Sequence, residues 1–202
     1  MPRVAPTQGT SALDSRPAIF LDRDDTLIEC NSLEPPLPPG KVGDLTDPER
    51  VRLLPGVREG LTRLKQAGFV LVVVSNQGAV ARGACGVADV VRVNTRVVDL
   101  LGPEALPTAF YFCPFHPNAT GAFAGEHSWR KPGPGMIQAA CREHHLDLQR
   151  SWLIGDGARD IEAAIAAGIS AERAVRVPID PERDVFTIAV ERVMAGDGSR
   201  RK

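Results

Sequence analysis

Short apolar runs alternate along this chain with longer stretches in which apolar residues recur every three or four positions. Ala18 to Leu21, Phe69 to Val74, Thr108 to Phe112, Ser151 to Ile154 and Ala174 to Val177 read as strands. The run Phe69-Val70-Leu71-Val72-Val73-Val74 is unbroken and rich in β-branched residues, the signature of a strand covered on both faces. Helices are expected from Pro55-Gly56 to Ala67, where Gly68 stops the turn, and from Val87 to Leu101. Three more follow: Pro134 to His144, with proline in the first turn, Ala158 to Ala167, stopped by Gly168, and Val185 to Met194. Strands alternating with helices predict an α/β fold, a three-layer, Rossmann-like parallel sheet with helices on both faces.

The segments between these elements are polar or proline-rich. Residues 1–16 are aperiodic and are expected to be a disordered leader, residues 17–195 one domain, and residues 196–202 a frayed tail. Glu34-Pro35-Pro36-Leu37-Pro38-Pro39-Gly40 forms a stiff loop, because proline fixes the backbone and removes donors. Pro114 to Trp129 is a second long loop.

Composition narrows the function classes. With 24 Lys+Arg against 25 Asp+Glu in 202 residues, nothing points to nucleic acid or a membrane surface as a partner. The longest apolar run is too short to span a bilayer. Cys30, Cys85, Cys113 and Cys141 lie far apart with no paired spacing and read as reduced thiols of a cytoplasmic protein.

The candidate chemistry sits where strands end. Asp22, Asp24 and Asp25 follow the first strand, and strand alternation puts Asp22 and Asp24 on one side. Two carboxylates that close favour a shared proton or a bound cation, and Mg2+ suits such oxygen ligands. In an open parallel sheet, ligands bind beyond the carboxyl ends of the strands. That rule gathers Asp22 and Asp24, Ser75-Asn76, Arg130-Lys131 and Asp156 at one rim. Asp22 is then a candidate nucleophile for a phosphoryl group, and Asp24 a candidate acid and base. Thr26 is expected to orient Asp24. The Ser75 hydroxyl and the Asn76 and Gln77 amides would face phosphoryl oxygens, with Lys131 a point charge and Arg130 a bidentate contact. Asp156 would complete the metal site. Asp160, one helical turn on, is either a supporting carboxylate or an acid favoured by the helix dipole.

These residues together resemble the haloacid dehalogenase superfamily of phosphohydrolases, whose four motifs are similar to Asp22 to Leu27, Ser75, Lys131 and Gly155-Asp156 with Asp160. Ser75 to Gly83, Tyr111 to Pro117 and Arg130 to Met136 further resemble the subfamily holding the heptose bisphosphate 7-phosphatases and the histidinol-phosphate phosphatases. The resemblance implies no large cap domain and Mg2+ held by Asp22, Asp156 and the backbone carbonyl of Asp24. It also implies substrate contacts from Thr26, Asn76, Arg82 and Arg130, the last near a distal phosphate. Asp25, in place of a frequent glycine, is expected to be incidental.

Two departures stand out. The subfamily's structural zinc loop keeps only Cys113 and His127 in register, with Phe115 and Trp129 at ligand positions, so zinc is not expected. Gly157 replaces a frequent basic residue. The expected activity is Mg2+-dependent removal of a phosphate from a small phosphorylated metabolite through an aspartyl-phosphate, with heptose 1,7-bisphosphate first and the protein a monomer. Histidinol phosphate or another sugar phosphate is the alternative substrate. A catalytically silent binder of a phosphorylated ligand or a partner is the alternative of another class.

Overall fold

The computed structural model describes residues 15–198. Five strands, β1 (Ala18–Leu21), β2 (Val70–Asn76), β3 (Ala109–Cys113), β4 (Trp152–Gly155) and β5 (Ala174–Arg176), form one parallel sheet in the order β3-β2-β1-β4-β5. In register, Phe20 lies opposite Val72 on one side and Leu153 on the other. The chain moves outward from β1 through β2 to β3, then crosses back to place β4 on the opposite side of β1. Order therefore reverses at β1, where a ligand crevice is expected at the strands' carboxyl ends.

Alternation along the strands splits the core in two. Ile19, Leu21, Leu71, Val73 and Ile154 face a cluster with α1 (Val57–Gln66), α3 (Val87–Leu101) and α6 (Val185–Gly198). Ala18, Phe20, Val72, Val74 and Leu153 face α4 (Gly135–His144) and α5 (Ala158–Ala167). Helices thus cover both faces, and β1 is buried at every position. In α3, Val90, Val93, Val97 and Leu101 recur at helical spacing and are the buried residues. A short helix, α2 (Gly78–Ala81), follows β2 at once; four residues carry too little periodicity to be read from sequence.

At both ends of the expected domain the described residues extend past its bounds. Arg16, assigned to the leader, bridges to Leu146: its N–H donates to His145 O at 3.2 Å, and its carbonyl accepts from Asp147 N at 2.9 Å. At the other end, α6 runs to Gly198 rather than fraying from residue 196. A Cβ at Gly196 would lie 2.6 Å from the Trp152 ring, so the helix crosses the base of β4 at a distance that only glycine allows. Arg63 of α1 pairs with Glu191 of α6 at 2.8 Å. Residues 1–14 and 199–202 of the expected leader and tail lie outside the described residues. No helix among the described residues is long and apolar enough to cross a membrane.

Candidate active site

The carboxyl ends of β1, β2 and β4 and the turn before α4 meet at one point. Lys131 Nζ lies 2.7 Å from Asp22 Oδ1 and 2.6 Å from Asp160 Oδ1, and donates to Val74 O at 2.8 Å. All three charged side chains are nearly inaccessible. Asn76 holds the loop that delivers Lys131: its Nδ2 donates to Lys131 O and its Oδ1 accepts from Lys131 N, both at 2.9 Å. Asn76 therefore works mainly as a backbone staple, although it also touches the cavity.

Asp22, Asp156 and Asp160 each offer an oxygen within 4.8 Å of the others. Against these three carboxylates stands one ammonium, Lys131, which leaves an excess of negative charge. Burial pushes the Asp22 pKa up, with the Lys131 ammonium opposing it. Burial alone would pull Lys131 down, but Asp22 and Asp160 outweigh it and hold the ammonium above its usual range. Asp156 Oδ1 is buried without a hydrogen-bond partner. An all-oxygen donor set with surplus negative charge and an orphaned carboxylate oxygen fits a hard divalent cation. Asp160 does both things expected of it: Oδ2 caps α5 by accepting from Gly157 N at 2.8 Å, and Oδ1 joins the cluster.

Asp24 departs from the alternation argument. β1 ends at Leu21, and the chain turns through the Asp24–Ile28 bridge, so Asp22 and Asp24 do not share one charge partner. The Asp24 carboxylate meets Arg23 instead, with Nε to Oδ1 at 2.9 Å and a second nitrogen to Oδ2 at 3.2 Å. Gln77 Nε2 donates to Asp24 Oδ2 at 2.7 Å and to Ser75 Oγ at 2.8 Å, and Cys30 Sγ lies 3.3 Å from Asp24 Oδ1. Burial raises the Asp24 pKa, but the Arg23 guanidinium and these donors more than reverse it, so the resting group is a carboxylate. Its backbone carbonyl accepts no hydrogen bond among the described residues. Thr26 does not orient Asp24: its hydroxyl is buried without a hydrogen-bond partner. Arg23, 1% exposed and tied to Asn94 of α3 at 2.8 Å, performs that task. Sequence reasoning passed over Arg23; a cation between two strand-end aspartates was the available signal.

Asp25 is not incidental. It adopts a left-handed backbone, φ 56°, and its carboxylate accepts from Cys30 N and Asn31 N at 2.9 Å each and from the Asn31 amide. It pins the turn that leads into the proline-rich loop.

Above this floor opens a cavity of about 1020 Å³. Arg82, Arg130, Arg159 and Arg176 reach it, with Asp24 and Asp156 at its base. Arg130 donates to Phe115 O at 3.0 Å, and Arg176 Nε to Asp156 O at 2.8 Å. Arg82 binds both oxygens of Asp44, at 2.5 and 2.7 Å, so its charge is largely committed to the loop after the prolines. Arg159 and Arg176 go beyond the expected set: Arg159 stands in the first turn of α5, after β4, and Arg176 is the last residue of β5.

The Pro114 to Trp129 loop is organised by rings. Phe115 stacks on His127 with centroids 4.4 Å apart and planes at 10°, and meets Phe123 edge-on at 5.4 Å. His127 Nδ1 accepts from Trp129 N at 3.1 Å, and Trp129 packs edge-on against Tyr111. Cys113 is buried in the core at the end of β3. Cys113 and His127 belong to no group of three or more possible metal ligands among the described residues. Aromatic surface stands where the resemblance would have two metal ligands.

A doubly covered parallel sheet with an aspartate–lysine pair at its switch point defines a hydrolase of the haloacid dehalogenase-like class. The HAD-hydrolase-like family model matches residues 128–172, from the Lys131 loop through α5. A D-glycero-D-manno-heptose-1,7-bisphosphate 7-phosphatase of Thermosynechococcus vestitus is 38% identical over 76% of each chain. A HAD-like phosphatase from Mesorhizobium loti superposes with a TM-score of 0.71 at 29% identity, over 90% of this chain and 87% of that one. A D,D-heptose 1,7-bisphosphate phosphatase from B. bronchiseptica, complexed with magnesium and phosphate, has the same fold, with a TM-score of 0.68 at 24% identity over 89% and 99% of the two chains. This chain belongs to the haloacid dehalogenase-like phosphatases, in the branch of the heptose bisphosphate 7-phosphatases.

Proposed function

We propose that the protein hydrolyses the 7-phosphate of D-glycero-D-manno-heptose 1,7-bisphosphate in a Mg2+-dependent reaction. The observation that carries this reading is the buried Lys131–Asp22 pair beside the orphaned oxygen of Asp156, in a chain 38% identical to an enzyme of that name. Asp22, Asp156 and the backbone carbonyl of Asp24 would hold Mg2+, which supplies charge neutralisation to the transferring phosphoryl group. Lys131 fixes Asp22 through Oδ1 so that the carboxylate attacks phosphorus and forms an aspartyl-phosphate. The Ser75 Oγ accepts from Gln77, so its own O–H is left to donate to a phosphoryl oxygen.

Asp24 gives a proton to the departing alkoxide and takes one from the attacking water. Its resting form is the carboxylate, so it acts as an acid once a bound phosphate dianion opposes its charge. Nearby cations along the wall, Arg130 foremost, meet the distal phosphate. The test is phosphate release from heptose 1,7-bisphosphate, histidinol phosphate and a set of sugar monophosphates, with and without Mg2+. The expected result is fastest release from the bisphosphate, abolished by a chelator. Equally slow release from every compound sinks the substrate reading.

A further inference from the structure

Gly157 leaves the motif-four turn without the basic side chain that its resemblance leads one to expect, yet the wall there is not uncharged. An ideal Cβ built at Gly157 lies 3.1 Å from Asp160 Oδ2 and in ordinary contact with the Arg159 side chain, Cγ at 3.4 Å and Nε at 3.5 Å. The Arg159 chain thus runs beside the glycine, and there it lines the cavity. The other arginines of the cavity have partners: Arg82 on Asp44, Arg176 on Asp156 O, and Arg130 by one nitrogen on Phe115 O. Arg159 makes no hydrogen bond or ion pair among the described residues, although it faces the same space. Its charge is felt at Arg130, whose pKa falls from burial first and then from Arg159 among the surrounding cations. Two like charges sharing one side of an open cavity are relieved by an anion between them.

We infer that Arg159 is a specificity-determining residue that, with Arg130, binds the second, non-transferred phosphate of a bisphosphorylated sugar. This rests on the proposed substrate reading. A cation two residues past Gly157 thus serves this wall of the cavity. A guanidinium arriving from position 159 approaches as a planar fork, which suits a phosphate better than the point charge of a lysine.

The test compares kcat/KM for heptose 1,7-bisphosphate with kcat/KM for heptose 7-phosphate, in the wild type and in Arg159→Ala, Arg159→Lys and Arg159→Glu. Melting temperatures establish that each variant is folded; the residue is exposed, so little change is expected. The bisphosphate-to-monophosphate ratio should fall about tenfold in Arg159→Ala, further in Arg159→Glu, and least in Arg159→Lys. A ratio within twofold of wild type in Arg159→Ala overturns the inference, as do equal ratios for the alanine and glutamate variants. Wild-type protein that fails to turn over the bisphosphate overturns the substrate reading itself. Wild-type turnover with an unmoved ratio overturns only the role of Arg159.

Discussion

On the floor of the cavity, Lys131 meets Asp22 and Asp160 within 2.7 Å, and none of the three side chains is more than 4% exposed. On the rim, Lys41, Arg159 and Arg176 are exposed, and the Arg82–Asp44 pair joins one loop to another. The floor gathers buried groups beyond strand ends that the core fixes on both faces; the rim carries its charges on the proline-rich loop, the first turn of α5 and the end of β5. Removing a floor charge strands its partners away from water, which is expensive. Removing a rim charge leaves its partner to water and costs little stability. The difference assigns bond-breaking to the floor and substrate choice to the rim, and it can be attacked one residue at a time.

The largest effect should come from Asp22→Asn. Turnover should fall by at least about a thousandfold on every phosphate ester, because a nucleophile is removed rather than a contact. Phosphate release measured on both a sugar phosphate and p-nitrophenyl phosphate checks this; retention of wild-type turnover would end the nucleophile assignment. Lys131→Met should also inactivate, and in addition destabilise by about 3–5 kcal/mol, since it leaves Asp22 and Asp160 buried without a counter-charge.

That loss carries a pH signature. Burial already raises the Asp22 pKa, and in the variant it acts without the opposing ammonium. A carboxyl raised above its unfolded value, about 4, keeps in the native state a proton that the unfolded chain has released. Stability of the variant should therefore rise as pH is lowered toward about 4 and fall as pH climbs through the raised native value. Urea denaturation at pH 5 and pH 8 reads the sign, and greater stability at pH 8 would contradict it.

Smaller is the effect expected of Asp156→Asn, which tests the metal directly. Magnesium at a hundred times its dissociation constant adds about 2.7 kcal/mol, roughly 5–10 °C of melting temperature for a chain of this size. The variant should lose most of that shift. An undiminished shift would mean that the orphaned oxygen of Asp156 does not face the ion.

Much of the floor was legible because it lies at strand ends, and strand ends are visible in apolar runs. Val87 to Leu101 announced itself by its valines, and Asp22, Ser75 and Asp156 each follow an apolar strand, whereas Lys131 stands in the turn before α4. What was not legible is how the polar groups divide among themselves. Alternation gave Asp22 and Asp24 a shared side, but the strand ends before either, and Arg23 takes Asp24. Thr26 looked like the natural orienting group, yet that work falls to Arg23 and Gln77, because a guanidinium reaches both carboxylate oxygens and a hydroxyl reaches one. The rim was harder still. Arg159 becomes visible only when the cavity that it lines is known, and ring stacking of Phe115 on His127 has no periodic signature.

The smallest effect, and the sharpest on the rim, concerns Arg82. The resemblance implied a substrate contact, whereas the structure ties it to Asp44, with the two side chains 17% and 12% exposed. The two roles predict opposite behaviour for the partner. If Arg82 bound substrate and Asp44 only restrained it, Asp44→Asn would release a cation into the cavity and lower KM, while Arg82→Gln would raise it. If the pair instead pins the proline-rich loop against α2, either substitution frees the loop, and KM should rise about two- to threefold in both. Stability should drop by only about 0.5–1 kcal/mol, the range for a partly exposed pair, because each freed group can turn to water. The second outcome is expected, since both Asp44 oxygens lie within 2.7 Å of one guanidinium nitrogen and leave that group little freedom to turn toward a ligand. Opposite signs for the two variants would return Arg82 to the substrate and move the line between pinning and recognition one residue deeper into the rim.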